Sequence, residues 1–187
     1  MNARFALAAS LAALFAASSA HAAVSVIGGG PAQLCYEGAD SGTRPDDYLY
    51  YCNMALAGAL TNTDRAATYI NRGVLKMDEG KYDSAADDFT EGLVINDKAG
   101  EGYIDLAATQ ITHKRFADAI ANINKGLALG TKQPEVAYYD RAMADEGLGN
   151  LQAAYDDYRQ ALTIAPNFSL ASDELKRFKV VEKPGGA

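Results

Sequence analysis

The sequence predicts an all-α fold, a solenoid of about three helix hairpins closed by a capping helix at each end. Three observations predict it. The chain repeats itself at an offset of 34 residues and then of 35. Apolar residues within each repeat recur at helical spacing, and no alternating run suggests a strand.

Taken in chain order, residues 1–22 come first. They hold one early cation, Arg4, an apolar run from Phe5 to Ala17, and the small-x-small sequence Ala20-His21-Ala22. That is the pattern of a secretory signal peptide with cleavage expected after Ala22, and the run is too short to span a bilayer. The expected location is therefore periplasmic or secreted, without membrane insertion after cleavage. Loss of Arg4 takes the formal charge from −7 to −8. Such an acidic chain is repelled by phosphates, which argues against nucleic-acid partners.

Residues 23–45 read as a flexible lead-in, Gly-rich around Gly28-Gly29-Gly30. Asp46 to Leu60 reads as a degenerate half-repeat whose helix covers the first hairpin, and it opens a repeat domain spanning 46–180. The two cysteines, Cys35 and Cys52, belong to an exported chain, so a disulfide between them is expected. It would tie the lead-in to the N-terminal cap.

The repeats cover about 66–99, 100–134 and 135–168. Tyr69, Tyr103 and Tyr138 align, as do Gly73, Ala107 and Ala142 on the first helix of each hairpin. On the second helix Ala85, Ala119 and Ala154 align, followed by Phe89, Ile123 and Tyr158, then Gly92, Gly126 and Ala161, then Leu93, Leu127 and Leu162. Small residues let two helix backbones approach, the larger ones fill the space beyond, and the third small position makes room for the next hairpin. The hairpin breaks fall at Glu79-Gly80-Lys81 and Gly147-Leu148-Gly149-Asn150. In the second unit the break is Thr112-His113-Lys114-Arg115, which lacks the glycine. Pro166 stops the last repeat helix, because it has no N–H to donate. Ser169 to Lys179 is amphipathic, with Leu175 and Phe178 turned inward, and reads as the C-terminal cap. Residues 181–187 read as a flexible tail.

The matching residues, Tyr69, Gly73, Gly80, Tyr82, Ala85, Phe89, Gly92 and Leu93, and most completely Gly149, Ala154, Tyr158, Ala161, Leu162 and Pro166, resemble the tetratricopeptide repeat family, here in an exported bacterial form. The resemblance covers residues 66 to 167 and implies a right-handed solenoid whose concave groove takes an extended peptide or a partner helix. It implies groove positions at Ile70, Asn71 and Val74 in the first repeat, Ile104, Asp105 and Ala108 in the second, and Tyr139, Asp140 and Met143 in the third. Asn71, Asp105 and Asp140 would form a polar row. Ile70, Ile104 and Tyr139 have an equal alternative, packing between hairpins. The basic pattern by which some relatives clamp a C-terminal carboxylate is missing, because Ile70, Val74, Asp105 and Asp140 stand where Lys or Asn would be needed. A basic or apolar partner fits better.

Little else in the chain suggests chemistry. After cleavage His113 is the only histidine, in a hairpin loop, so neither a nucleophile triad nor a zinc site can be assembled around it. No metal site, cofactor or catalytic residue is expected. The pairs Asp87-Asp88 and Asp156-Asp157 recur at one repeat position, which points to packing or solvation rather than acid–base or calcium chemistry. Asp46-Asp47 lies outside any Gly-containing calcium loop. The expected role is a non-catalytic scaffold or adaptor for a protein or peptide partner, with self-association by end-to-end stacking as the rival and an enzyme as a distant third reading.

Overall fold

The computed structural model describes residues 4–7, 23–27, 29–42 and 47–181. The rest of the proposed signal peptide, Gly28, residues 43–46 and the tail from 182 lie outside the described residues. In chain order the elements are β1 (Arg4–Leu7), α1 (Pro31–Ser41), α2 (Asp47–Ala57), α3 (Asn62–Asp78), α4 (Tyr82–Ile95), α5 (Gly100–Thr112), α6 (Phe116–Leu129), α7 (Pro134–Leu148), α8 (Leu151–Ile164), α9 (Ser169–Leu175) and β2 (Phe178–Val181). The fold is all-α in its body. Helices α3/α4, α5/α6 and α7/α8 are the three expected hairpins, and each packs on the next in sequence.

The local chemistry sets the helix ends. Thr61 caps α3, its hydroxyl accepting from the Asp64 amide at 3.1 Å. Pro31 and Pro134 open α1 and α7, where a missing N–H costs no helical bond. The hairpin turns need a left-handed residue. Gly80 and Gly149 supply it at φ 75° and 79°, and in the second hairpin, where no glycine stands, Lys114 takes φ 58°.

Inside each hairpin the small residue faces the large one. A Cβ on Gly73 would lie 2.5 Å from the Phe89 ring, so the glycine is what admits the aromatic side chain. Gly92 and Gly126 were expected to admit the next hairpin, but each instead receives a side chain of its own hairpin. A Cβ on Gly92 would meet Ile70 Cγ1 at 2.8 Å, and one on Gly126 would meet Ile104 Cδ1 at 2.6 Å. The core forms two apolar clusters. One runs from Ala23 and the cysteines through the first hairpin, the other from Ile104 to Phe178, and α5 contributes to both.

Three further expectations need correction. The lead-in is not without structure, since it contains α1 and an extended stretch, Ala23–Ile27, pinned to the repeats. The C-terminal cap is shorter than Ser169 to Lys179, because α9 ends at Leu175. There Arg177 turns back to Glu174 and Glu146, and Phe178 packs edge-on to Tyr158 with ring centroids 6.0 Å apart. A strand does occur. Phe178–Val181, rich in β-formers, pairs antiparallel with Arg4–Leu7. Cleavage after Ala22 would remove β1 and leave β2 without that partner. The cysteines behave as expected: Cys35 on α1 and Cys52 on α2 are joined, Cα atoms 4.8 Å apart, both fully buried.

Candidate functional site: the concave groove

Helices α3, α5 and α7 each present the same repeat positions to one face of the solenoid. All nine residues expected to line this groove are buried, and they divide into two sets. Ile70, Ile104 and Tyr139 point into the seams between helices. Ile70 lies over Gly92 and Gly102, Ile104 over Gly126, and the Tyr139 ring meets Tyr158 and Phe168 at 5.6 and 5.5 Å. They are packing residues and leave the groove row to Asn71, Asp105 and Asp140. Val74, Ala108 and Met143, one turn further along the same helices, are buried as well.

Asn71 holds a chain. Its Oδ1 accepts from the Val24 amide at 2.7 Å and its Nδ2 donates to the Val24 carbonyl at 2.8 Å, so a single amide side chain satisfies both backbone groups of one extended residue. Seven residues earlier on α3, Asp64 accepts from the Ile27 amide at 2.8 Å. The strap Ala23–Ile27 therefore runs antiparallel to α3. Lys132, in the loop before α7, donates to the Ala23 carbonyl at 3.2 Å, and its own amide donates to Glu101 at 2.9 Å. Ala23 is 3 % exposed, whereas Ile27 projects freely at 88 %.

The acid end of the row is electrostatically costly. Burial pushes the Asp140 carboxyl up to about 7. Burial also holds the Asp105 carboxyl well above its ordinary range, and the neighbouring Asp140, Glu101 and Asp78 add to the effect. Asp140 makes no hydrogen bond or ion pair within the described residues.

Sequence reasoning missed Asp64, Lys132 and the strap itself. The signal that marks the strap is its β-branched stretch, Val24, Val26 and Ile27, which favours extended backbone. Elsewhere each repeated acid pair divides between packing and solvent: Asp87 and Asp156 are exposed, Asp88 binds Arg72 through two bonds of 2.6 and 2.8 Å, and Asp157 binds Arg141 in the same way. His113 is tied rather than free, its Nδ1 at 2.8 Å from the Thr109 carbonyl and its Nε2 at 3.0 Å from Asp83. Among the described residues no group of three His, Cys, Asp or Glu is placed to hold a metal ion. No described helix is long and apolar enough to cross a membrane.

Comparison with known proteins agrees with this architecture. Residues 136–168, spanning α7, α8 and their turn, match the tetratricopeptide repeat family model. The chain is 28 % identical over 120 residues to RNA polymerase II-associated protein 3 of Homo sapiens, covering 64 % of this chain and 18 % of that protein. It is 27 % identical over 146 residues to peptidyl-prolyl cis-trans isomerase FKBP42 of Arabidopsis thaliana, covering 78 % of this chain and 37 % of that one. The chain thus spans well under half the length of these curated relatives. Among solved structures it superimposes on the first tetratricopeptide domain of Spaghetti (RPAP3) bound to the HSP90 peptide SRMEEVD, with a TM-score of 0.57 and 28 % identity, over 62 % of this chain and 94 % of that one.

Proposed function

We propose that this protein is an exported, non-catalytic adaptor whose concave groove binds an extended peptide segment of a partner in the cell envelope. The observation that carries this reading is the strap. The groove already accommodates an extended chain, gripped through its backbone at Asn71 and Asp64. Backbone recognition of that kind accepts any sequence of suitable shape, so specificity falls to the neighbouring side chains. A partner enters by replacing the strap.

The charge of the groove sets the partner's character. The solved relative holds an acidic peptide, SRMEEVD. Here Asp105 and Asp140 are buried on the row, where a carboxylate ligand would meet like charge in a low-dielectric setting. A basic or apolar segment is favoured instead. Export follows from the N-terminal pattern, a cationic start, an apolar run and a small-x-small site.

Titration of the purified protein with two peptides of equal length tests the reading, one SRMEEVD and one with its acids replaced by lysine. The lysine peptide is expected to bind more tightly by about tenfold or more, the size of one compensated charge. Equal or tighter binding of SRMEEVD would sink the assigned polarity of the groove, and binding of neither would sink the adaptor reading.

A further inference from the structure

The strap ends, toward the chain start, at a residue that cleavage would turn into an amino terminus. Ala23 is 3 % exposed and shares an apolar cluster with Ala108, which lies three residues beyond Asp105 on α5. Its carbonyl is held by Lys132 and the next residue is held on both sides by Asn71. Along the same row, Asp140 is 6 % exposed and has no hydrogen-bonding or ionic partner within the described residues. A buried carboxyl without a counter-charge, aligned with an amide that grips a chain, calls for a cationic ligand.

We propose that Asp105 and Asp140 form an ammonium site that receives the α-amino group of Ala23 once the chain is cut after Ala22. The inference rests on the export and cleavage read above. Three contacts then define the recognised chain end. The ammonium meets the two acids, the first carbonyl meets Lys132, and the second residue's amide and carbonyl meet Asn71. An ammonium group carries three donors and the acids only acceptors, so the pairing can satisfy the buried charge by hydrogen bonds as well as by Coulomb attraction. The first side chain is a buried methyl group, so the site takes a small first residue. The chain's own end is the resident ligand, and an incoming partner segment must displace it.

Chemical protection of the amine tests this on the exported protein itself. Its mass gives the first residue, and limited acetylation at about pH 7 gives the reactivity of the α-amine, compared with the free peptide AVSVI. Only the neutral amine reacts, and an opposite charge raises its pKa by about one unit or more, so acetylation should be about tenfold slower than in the peptide. Asp105→Asn with Asp140→Asn should restore the peptide rate while the far-ultraviolet helical signal is kept. Should the double variant not fold, Asp140→Asn alone, read in the same way, decides the question, because burial of Ala23 slows acetylation with or without the acids. A chain that begins at Ala23 and acetylates at the peptide rate overturns the proposal. A chain that begins elsewhere overturns it too, but leaves peptide binding by the groove standing, since the peptide titration is read separately.

Discussion

The seam between successive helices and the groove both hold aspartates, buried at Asp88, Asp105 and Asp140 and half-buried at Asp157, and the protein treats them in opposite ways. On the seam, Arg72 forks onto Asp88 and reaches Asn53 at 2.7 Å. Arg141 forks onto Asp157 and reaches Asn124 at 2.5 Å. Each clamp ties three successive helices, α2, α3 and α4 or α6, α7 and α8. In the groove, Asp140 has no such cation, and both its carboxyl and that of Asp105 are pushed up. On the seam an arginine neutralises the acid and ties helices together, whereas in the groove burial raises the acids and makes their ionisation costly.

Breaking a clamp should show the larger effect. Asp157→Ala leaves the Arg141 guanidinium, 24 % exposed, without its bidentate partner. A destabilisation of about 2–3 kcal/mol is expected by chemical denaturation, toward the lower side of the range for broken buried pairs because water reaches part of the site. A loss near zero would mean that the clamps only decorate the surface.

The groove should answer with the opposite sign. Asp140 has a folded pKa near 7 against an ordinary value of 3.8. A raised folded pKa gives stability that is fully present below the unfolded value and is lost as pH rises through the folded one, so the full-length chain should weaken between about pH 4 and 7 on this account. Asp140→Asn should therefore stabilise that chain by about 2 kcal/mol at pH 8 and change little near pH 4. In a chain beginning at Ala23 the proposed ammonium offsets the same cost, and the gain should shrink. A pH-independent effect in both chains would erase the contrast between seam and groove.

Between these in character lies Asn71, polar and fully buried but satisfied by the strap. Asn71→Ala removes two hydrogen bonds and leaves both backbone groups of Val24 to find water. A loss of about 1–1.5 kcal/mol is expected, with amide exchange at Val24 accelerating while exchange in α7 and α8 stays unchanged. Unchanged protection at Val24 would mean that the strap is held by its apolar contacts alone.

Much of this was legible in the sequence. The hairpins were readable because each depends on local spacing, a small residue at Gly73 or Ala107 facing a large one at Phe89 or Ile123, repeated at a fixed period. The polar row was readable through family register, and so was the shared role of Asp88 and Asp157. The clamps' partners were not, because Arg72 pairs with a residue sixteen positions away and Asn53 lies on a helix outside the repeats. The strap was hidden for a similar reason. The strap is gripped through its own backbone groups, so beyond a β-branched stretch its sequence carries no mark of the contact, and the gripping side chains stand 37 and 47 residues further on. The groove's Ile70, Ile104 and Tyr139 were ambiguous because an apolar side chain at that register serves packing and lining equally. Only the glycines at Gly92, Gly102 and Gly126, and the rings at Tyr158 and Phe168, decide it.

The smallest expected effect lies where the second hairpin departs from its neighbours, at a place the sequence marked plainly. The first and third hairpins turn on Gly80 and Gly149, while the second turns on Lys114 at φ 58°. It also lacks the arginine clamp, since Leu106 stands at the repeat position of Arg72, and Gln110 and Asn122 share a hydrogen bond of 2.9 Å instead. A side chain in the left-handed region strains its Cβ against the following carbonyl, a cost that glycine avoids. Glycine also gives the unfolded chain more freedom, which offsets part of the gain. Lys114→Gly should therefore stabilise the protein by about 0.5–1 kcal/mol, raising Tm by a few degrees for a domain of this size. The gain should appear in amide exchange at the α5–α6 turn and leave the groove's affinity for peptide untouched. If affinity moved with it, the turn side and the groove side of the second hairpin would be coupled, and the division between seam and groove would not hold at its centre.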